Sequence, residues 1–439
     1  MKKLFVFAAL IFITAAVVFA QELKFDGYLN SGLGVVANDN EDADPYFKAF
    51  GVDSESNGYR LRLNGSYQNE AKNAGARFRF QSQRNTSQTG YLSLPYLYGW
   101  VGFFENKITL TGGLIMDSTW ESADWWIQDD TGEGLGLLLK AEPVKGLNLG
   151  VGVYTISQQS GGANNMLQYT STRTQDPNDP SKWIAGTSRL PNFNELMIKP
   201  EDAKYTFNAA YTMPDVFRVN AIFRTPNKAG WTDSRNLDKN QYGYGGYEES
   251  MLFQAEFRLL AVKNLTAVLV GRFDKLEWFE KKGNVTITET FGYKLDNLNV
   301  GLNAAQFLYS RTDANNDEIK RDPSLLFNLW GSYAIDKVVP RLDLVYFMGG
   351  RSKMSNGNNQ WERRGFANTE GTADKDDDYS VFSVRPSVKL NLDNRTFLEI
   401  GDMVNIDMGN FDGAYKDSGD IGKKTLLSNV FYIDVKFSF

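Results

Sequence analysis

Apolar and polar side chains alternate along most of this chain, in segments of about ten residues. Residues 216–224 show the unit: Phe217, Val219, Ala221 and Phe223 fall on one face, Arg218, Asn220 and Arg224 on the other. A β-strand reverses its side chains at every residue, so this spacing makes one oily and one wet surface. The unit recurs from Leu23 to the last residue, and its connectors run short and long in turn. In a soluble sandwich the oily face would meet a second oily face across a shared core. Here the wet face carries repeated arginines, which suits a closed barrel with lipid outside and water inside.

Period-two segments predict about eighteen strands, with sixteen as the alternative count. They lie near 23–36, 58–68, 74–82, 95–104, 108–115, 134–141, 147–156, 203–211 and 216–224 in the first half. The second half has them near 249–260, 265–274, 284–295, 298–310, 323–334, 339–350, 378–391, 396–406 and 426–439. Short connectors include 105–107, 212–215, 296–297, 335–338 and 393–395; long ones, such as 37–57, 157–202, 225–248 and 351–377, are rich in Gly, Asn, Asp and Ser. The fold class expected is all-β: a single transmembrane antiparallel β-barrel with short periplasmic turns and long extracellular loops. An even strand count places both termini in the periplasm. Either count leaves an aqueous lumen. One segment conflicts with the pattern. Asp402 shares a face with Leu398 and Ile400, which predicts a slipped register or a bulge at that point.

The first twenty residues follow another logic. Lys2 and Lys3 precede an apolar run from Leu4 to Phe19, and Val18-Phe19-Ala20 offers a cleavage site before Gln21. That is a secretory signal peptide, leaving 21–439 as the barrel. Its removal takes two lysines from a chain whose formal net charge is −6. Mean hydropathy is only −0.39, because lumen residues dilute the lipid-facing ones at every second position. The aromatic share of 14% is what interfacial girdles require. There are no cysteines and no histidines, which removes thiol chemistry and the commonest general base and metal ligand. An enzyme is therefore not expected, no cofactor is implied, and the acidic balance argues against a nucleic-acid partner.

The last strand reads Phe431-Tyr432-Ile433-Asp434-Val435-Lys436-Phe437-Ser438-Phe439, with Phe431, Ile433, Val435, Phe437 and Phe439 on one face. This resembles the final strand of bacterial outer-membrane porins, and Leu23-Lys24-Phe25-Asp26-Gly27-Tyr28 looks like their first strand. The likeness covers the whole mature chain in architecture, and only the signal peptide and the last strand match at motif level. It implies an outer-membrane location and a water-filled channel for passive diffusion of small hydrophilic solutes and ions. It further implies surrounding outer-membrane lipids, a homo-trimer as a common state, and the barrel-assembly machinery as a partner that reads Phe437 and Phe439.

Candidate pore chemistry follows from the wet faces. With a turn at Asn69–Asn73, Arg60 and Arg62 run down one strand, and Arg77 and Arg79 rise up its neighbour. Same-face residues lie ~6.6 Å apart, so the four guanidiniums form a positive stripe. Such a stripe either selects permeating ions or braces the wall through salt bridges. Further lumen candidates are Arg218, Arg224, Arg258, Arg272, Arg385 and Lys389, offset by Glu256 and Asp343. In porins the third long loop often enters the barrel and narrows it. The corresponding segment here, 116–133, carries Asp117, Trp120, Glu121, Asp124, Trp125, Trp126, Asp129 and Asp130. Its tryptophans stack on sugars, pack the loop against the wall or lie at the membrane interface, and no regular aromatic file is visible in the sequence. Asp313-Ala314-Asn315-Asn316-Asp317 lacks the glycine and bidentate glutamate of a calcium loop, so no metal site is predicted. Two other functions remain open: a channel selective for sugars, anions or hydrophobic solutes, and a surface adhesin or antigen displaying loops such as 157–202.

Overall fold

Strands form wherever the alternation is sustained. The computed structural model describes residues 23–38, 45–50, 59–84, 90–116, 133–156, 173–176, 179–185, 203–225, 251–276, 284–308, 310–312, 318–320, 324–348, 380–408 and 425–439. The strands of the first half are β1 (Lys24–Asn38), β2 (Tyr46–Phe50), β3 (Tyr59–Gln68), β4 (Ala74–Arg84), β5 (Gly90–Phe103), β6 (Ile108–Met116), β7 (Glu133–Val144) and β8 (Leu147–Ile156). Then come β9 (Arg173–Asp176), β10 (Asp179–Ala185), β11 (Lys204–Met213), β12 (Phe217–Arg224), β13 (Met251–Leu259), β14 (Leu265–Leu276), β15 (Asn284–Leu295) and β16 (Leu298–Leu308). The remainder are β17 (Ser310–Thr312), β18 (Glu318–Lys320), β19 (Ser324–Tyr333), β20 (Val338–Met348), β21 (Ser380–Asn391), β22 (Thr396–Met408) and β23 (Thr425–Ser438).

Eighteen of them follow one another around an antiparallel circuit, closed where β1 pairs with β23 from Tyr28↔Ser438 to Asn38↔Ser428. β2 adds no position to the circuit. It pairs with Gly32–Val36 of β1, while β3 pairs with Lys24–Ser31 on the same side. β9 with β10 and β17 with β18 form two separate two-stranded pairs. Closure removes the sheet edge, so every strand of the circuit has two neighbours.

One rim carries the short turns, the start of β1 and the end of β23. Its backbone conformations explain the residues found there. The β7–β8 turn is Lys145–Gly146, and Gly146 takes φ +87°, a left-handed value that costs glycine nothing. In the β3–β4 turn the Asn69 side-chain oxygen accepts the N–H groups of Asn73 and Ala74 at 3.0 and 3.1 Å. Asp393 does the same for Arg395 and Thr396 at 2.7 Å each, between β21 and β22. These are side-chain mimics of a backbone turn.

The two faces of the wall are unlike. Inward positions such as Thr206, Asn208, Asn220, Gln254, Glu256 and Thr288 are polar and buried. Outward positions such as Phe207, Phe257, Leu269, Phe327 and Leu329 are large, apolar and exposed. Outward rings meet across strands: Phe217 stacks on Phe257 with centroids 6.1 Å apart, and Phe253 meets Phe273 at 6.3 Å. Soluble monomers rarely expose contiguous apolar patches beyond a few hundred Å². Small apolar clusters do occur inside, as where Ile115, Leu138 and Tyr154 pack with Tyr98.

Two features interrupt the regular wall. Between Arg79↔Tyr96 and Gln81↔Ser93 the β5 strand spends one residue more than β4, which makes a bulge at Leu94-Pro95. Pro95 has no N–H to give to a ladder, so a bulge accommodates it. At Asp402 the structure corrects the sequence expectation. β22 keeps a constant register with β23, Asp402 standing opposite Phe431, and no bulge intervenes. The carboxylate stays on the outer face because Asn429 of β23 donates to it at 2.7 Å. A second such pair lies on β15 and β16, where Gln306 donates to Glu289 at 3.2 Å. Among the described residues no helix is long and apolar enough to cross a membrane.

Candidate functional site: the inner wall of the barrel

The register sets Arg62, Arg77 and Arg79 on the inner face, opposite Gln81, Ser66 and Asn64 respectively. Arg60 occupies an inward register position opposite Asn30, and its side chain lies outside what is described. Each described arginine lies over an aromatic ring, and two of them also donate a hydrogen bond. Arg62 Nε donates to Gln81 at 2.9 Å, and its guanidinium lies 5.2 Å from the Tyr28 ring centroid. Arg79 Nε donates to the Asn64 side-chain oxygen at 2.7 Å and lies 4.7 Å from the Tyr96 ring. Arg77 lies 5.7 Å from the Trp100 ring. Asn64 ties the group together: it also accepts the Tyr96 hydroxyl at 3.4 Å and donates to Asp26. A cation over a ring face is stabilised without being neutralised.

A second basic group spans β12 to β14. Arg218 stands directly opposite Arg258, Asn220 opposite Glu256, and Gln254 opposite Arg272. The Arg258 guanidinium meets Glu256 at 3.1 Å, and that carboxylate is fully buried. Arg218 faces this ion pair from the neighbouring strand. Arg224, opposite Leu252, continues the inward side of β12.

The third group lies on β19 to β22. Arg341 makes two bonds to Asp343, at 2.6 and 2.7 Å, and lies 4.7 Å from the Trp330 ring. Asn328 donates to the same carboxylate at 3.0 Å. Arg385, opposite Asp343, donates through Nε to Ser383 at 2.8 Å, and Ser383 donates onward to Asn405 at 2.7 Å. Lys389 lies 4.0 Å from the Phe397 ring.

Sequence reasoning missed the aromatic partners. Tyr96, Tyr98 and Trp100 form an inward file on β5, with successive centroids 5.7 and 6.4 Å apart. No regular aromatic file is read from the sequence, and the structure supplies this one. Its signal was present in the period-two spacing of the three rings against Leu97, Gly99 and Val101. Tyr28, Trp330, Arg341, Phe397 and Lys436 were missed as well. The segment with Asp117, Trp120, Glu121, Asp124, Trp125, Trp126, Asp129 and Asp130 lies outside the described residues, as do 1–20. Phe437 and Phe439 are exposed residues of the closing strand and its end. No cluster of metal-ligating side chains occurs among the described residues. What this wall can do is electrostatic. Fixed cations raise the local concentration of anions, and rings beside them offer flat apolar faces.

No protein-family model matches the sequence. No curated protein matches it significantly either. Solved structures do match. The chain is similar to Pseudomonas aeruginosa OpdL at 9% identity, with 95% of this chain and 99% of that one covered and a TM-score of 0.50. Pseudomonas aeruginosa OccK2 (OpdF), solved in complex with glucuronate, matches at 10% identity, 95% and 98% coverage and a TM-score of 0.49. Acinetobacter baumannii OccAB4 matches at 11% identity, 95% and 99% coverage and a TM-score of 0.48. At such identity the likeness is one of fold alone: a large closed antiparallel β-barrel, as in these outer-membrane neighbours.

Proposed function

We propose that this protein is an outer-membrane channel through which small hydrophilic solutes and ions diffuse down their gradients. One observation carries the reading: an eighteen-stranded closed circuit whose apolar side chains face out and whose polar and charged side chains face in. In a bilayer that distribution puts each face in its own solvent. A barrel of this strand number encloses water rather than filling itself with side chains.

Transport then needs no reacting group. Pore width and wall charge decide what passes. The inward cations Arg62, Arg77, Arg79, Arg218, Arg258, Arg272, Arg385 and Lys389, with Arg60 and Arg224 at further inward positions, bias the lumen toward anions. Glu256 and Asp343 reduce that bias locally. Residues 1–20 direct export, the short-turn rim faces the periplasm, and Phe437 and Phe439 address the chain to the barrel-assembly machinery. The test is planar-bilayer recording of the refolded protein with reversal potentials in a salt gradient. Stepwise currents and an anion-selective reversal potential are expected. Insertion without conductance would refute the channel.

A further inference from the structure

The outer wall is not raised evenly. On β11 to β14 one row of outward positions holds only small residues. Ala209 stands opposite Ala221, Ala221 opposite Ala255, and Ala255 opposite Gly271. The row above, farther from the short-turn rim, is Phe207, Phe223, Phe253 and Phe273, paired strand to strand in the same way. The row below runs from Tyr211 through Val219 and Phe257 to Leu269. A valley therefore crosses four strands between two bulky ridges. It forms a groove of about 530 Å³, which Leu147, the first residue of β8, lines on the rim side. A Cβ on Gly271 would meet no atom within 4 Å, so the fold itself leaves that part of the floor open.

The dimensions select an occupant. Three strand spacings make the valley about 14 Å long, and its width is that of one missing row of large side chains. One hydrocarbon chain fits such a slot and touches wall on three sides. The axis is oblique. Leu149 continues the row beyond Ala209 and lies near the turn end of β8, whereas Gly271 lies midway along β14. A chain in the valley thus enters from the short-turn rim, over Leu147 and the facing Tyr211, and climbs toward the middle of the wall.

Charge sits where that entrance meets the rim. The β7–β8 turn, Lys145–Gly146, directly precedes Leu147. Tyr211 packs against this turn: a Cβ on Gly146 would lie 3.8 Å from its ring. Lys145 is exposed and makes no ion pair among the described residues. Glu142, in the same hairpin, accepts the Gly146 N–H at 2.9 Å. An apolar slot with a cation at its rim end matches an amphiphile, its tail along the alanines and its anionic head at the lysine.

We propose that the valley Ala209–Ala221–Ala255–Gly271 holds one acyl chain of a phospholipid from the periplasmic leaflet, whose phosphate meets Lys145. The proposal rests on the reading that this wall spans a bilayer and goes beyond solute passage, because it gives the outer face a resident lipid.

The experiment is native mass spectrometry of the refolded full-length mature protein in detergent. Dioleoylphosphatidylglycerol is the probe, and dioleoylglycerol supplies the same tails without phosphate. The parent should retain one phosphatidylglycerol at about fivefold lower concentration than the diacylglycerol, as one ammonium beside an anionic head implies. Lys145→Gln should abolish that headgroup difference, and Lys337→Gln, in the turn between β19 and β20, should keep it. Ala221→Leu/Gly271→Leu fills the valley and should abolish retention of both lipids, with heat-modifiable gel mobility confirming the closed barrel. Gly271→Leu alone, placed in open space, replaces the double variant if that one does not fold. Equal retention by parent and filled variant, or a headgroup difference that survives Lys145→Gln, overturns the proposal. Parent dimers that the filled variant dissolves overturn it too, giving the valley to a second copy. Bilayer recording of the same proteins keeps the two readings apart: a parent that inserts without conducting refutes the channel alone, and lipid retention still decides the valley.

Discussion

Phe439 and Gly27 exchange a pair of backbone hydrogen bonds, N to O in each direction at 3.0 Å, so the final residue fastens the circuit to its first strand. Gly27 permits this approach because it has no Cβ. A Cβ there would sit 2.8 Å from two ring carbons of Phe439 and closer still to the Arg62 backbone oxygen. Gly27→Val should destabilise the folded barrel by about 1–3 kcal/mol through overpacking. Denaturant midpoints and heat-modifiable gel mobility read the effect, with Ser31→Ala on the same strand as the unaffected comparison.

Asp402 and Asn429 should behave as a unit. Asn429→Leu strips a carboxylate in the apolar wall of its donor, at a cost of about 1–3 kcal/mol. Asp402→Leu leaves an amide unpaired and costs less. The double leucine variant removes both polar groups and should equal or exceed the parent in stability. Unfolding titrations in lipid vesicles test this. A double variant that loses the sum of the two singles would show that the groups act independently.

Charge selectivity should respond to the wall in both directions. Gln at positions 60, 62, 77 and 79 should shift permeability toward cations, because four positive charges leave one sector. Glu256→Gln should shift it toward anions, because Arg258 loses the carboxylate at 3.1 Å. Reversal potentials across a salt gradient give both signs. The shifts should shrink as ionic strength rises, since screening shortens to about 3 Å at 1 M salt.

The strands were legible because one rule runs their whole length. Phe217 and Val219 fall on the face opposite Arg218 and Asn220 whatever the neighbours are. Side-chain partners across strands were not legible, because they depend on register. The bulge at Leu94-Pro95 decides which β5 residues face Arg77 and Arg79, and a single sequence carries no sign of its size. Asp402 was misjudged for a related reason. Its donor, Asn429, lies on the next strand beyond a long connection, and only the pairing brings the two together. The short β2, in line with β3, was invisible because five residues carry too little periodicity.

The turn at Asp393 should make one hairpin sensitive to acid. Backbone N–H groups of Arg395 and Thr396 hold the Asp393 carboxyl below its usual range. A group whose folded pKa is depressed contributes stability above the unfolded value, about 3.9, and loses it as pH falls through the lower folded value. The contribution should therefore fade only below about pH 4, and Asp393→Ala should remove that part of the acid profile. Unfolding midpoints of parent and variant between neutral and acidic pH measure it. Parallel profiles would exclude the turn as the source.

Alternation alone leaves one assembly error unpunished. Sliding a strand by two residues along its neighbour keeps every oily side chain outside and every wet one inside. The Asp402–Asn429 bond breaks that degeneracy for β22 and β23, and Glu289–Gln306 breaks it for β15 and β16. In a shifted alignment Asp402 would lose its donor within the apolar face, and Glu289 would lose Gln306. The few polar groups on the lipid side thus act as alignment keys, admitting a single match between adjoining strands.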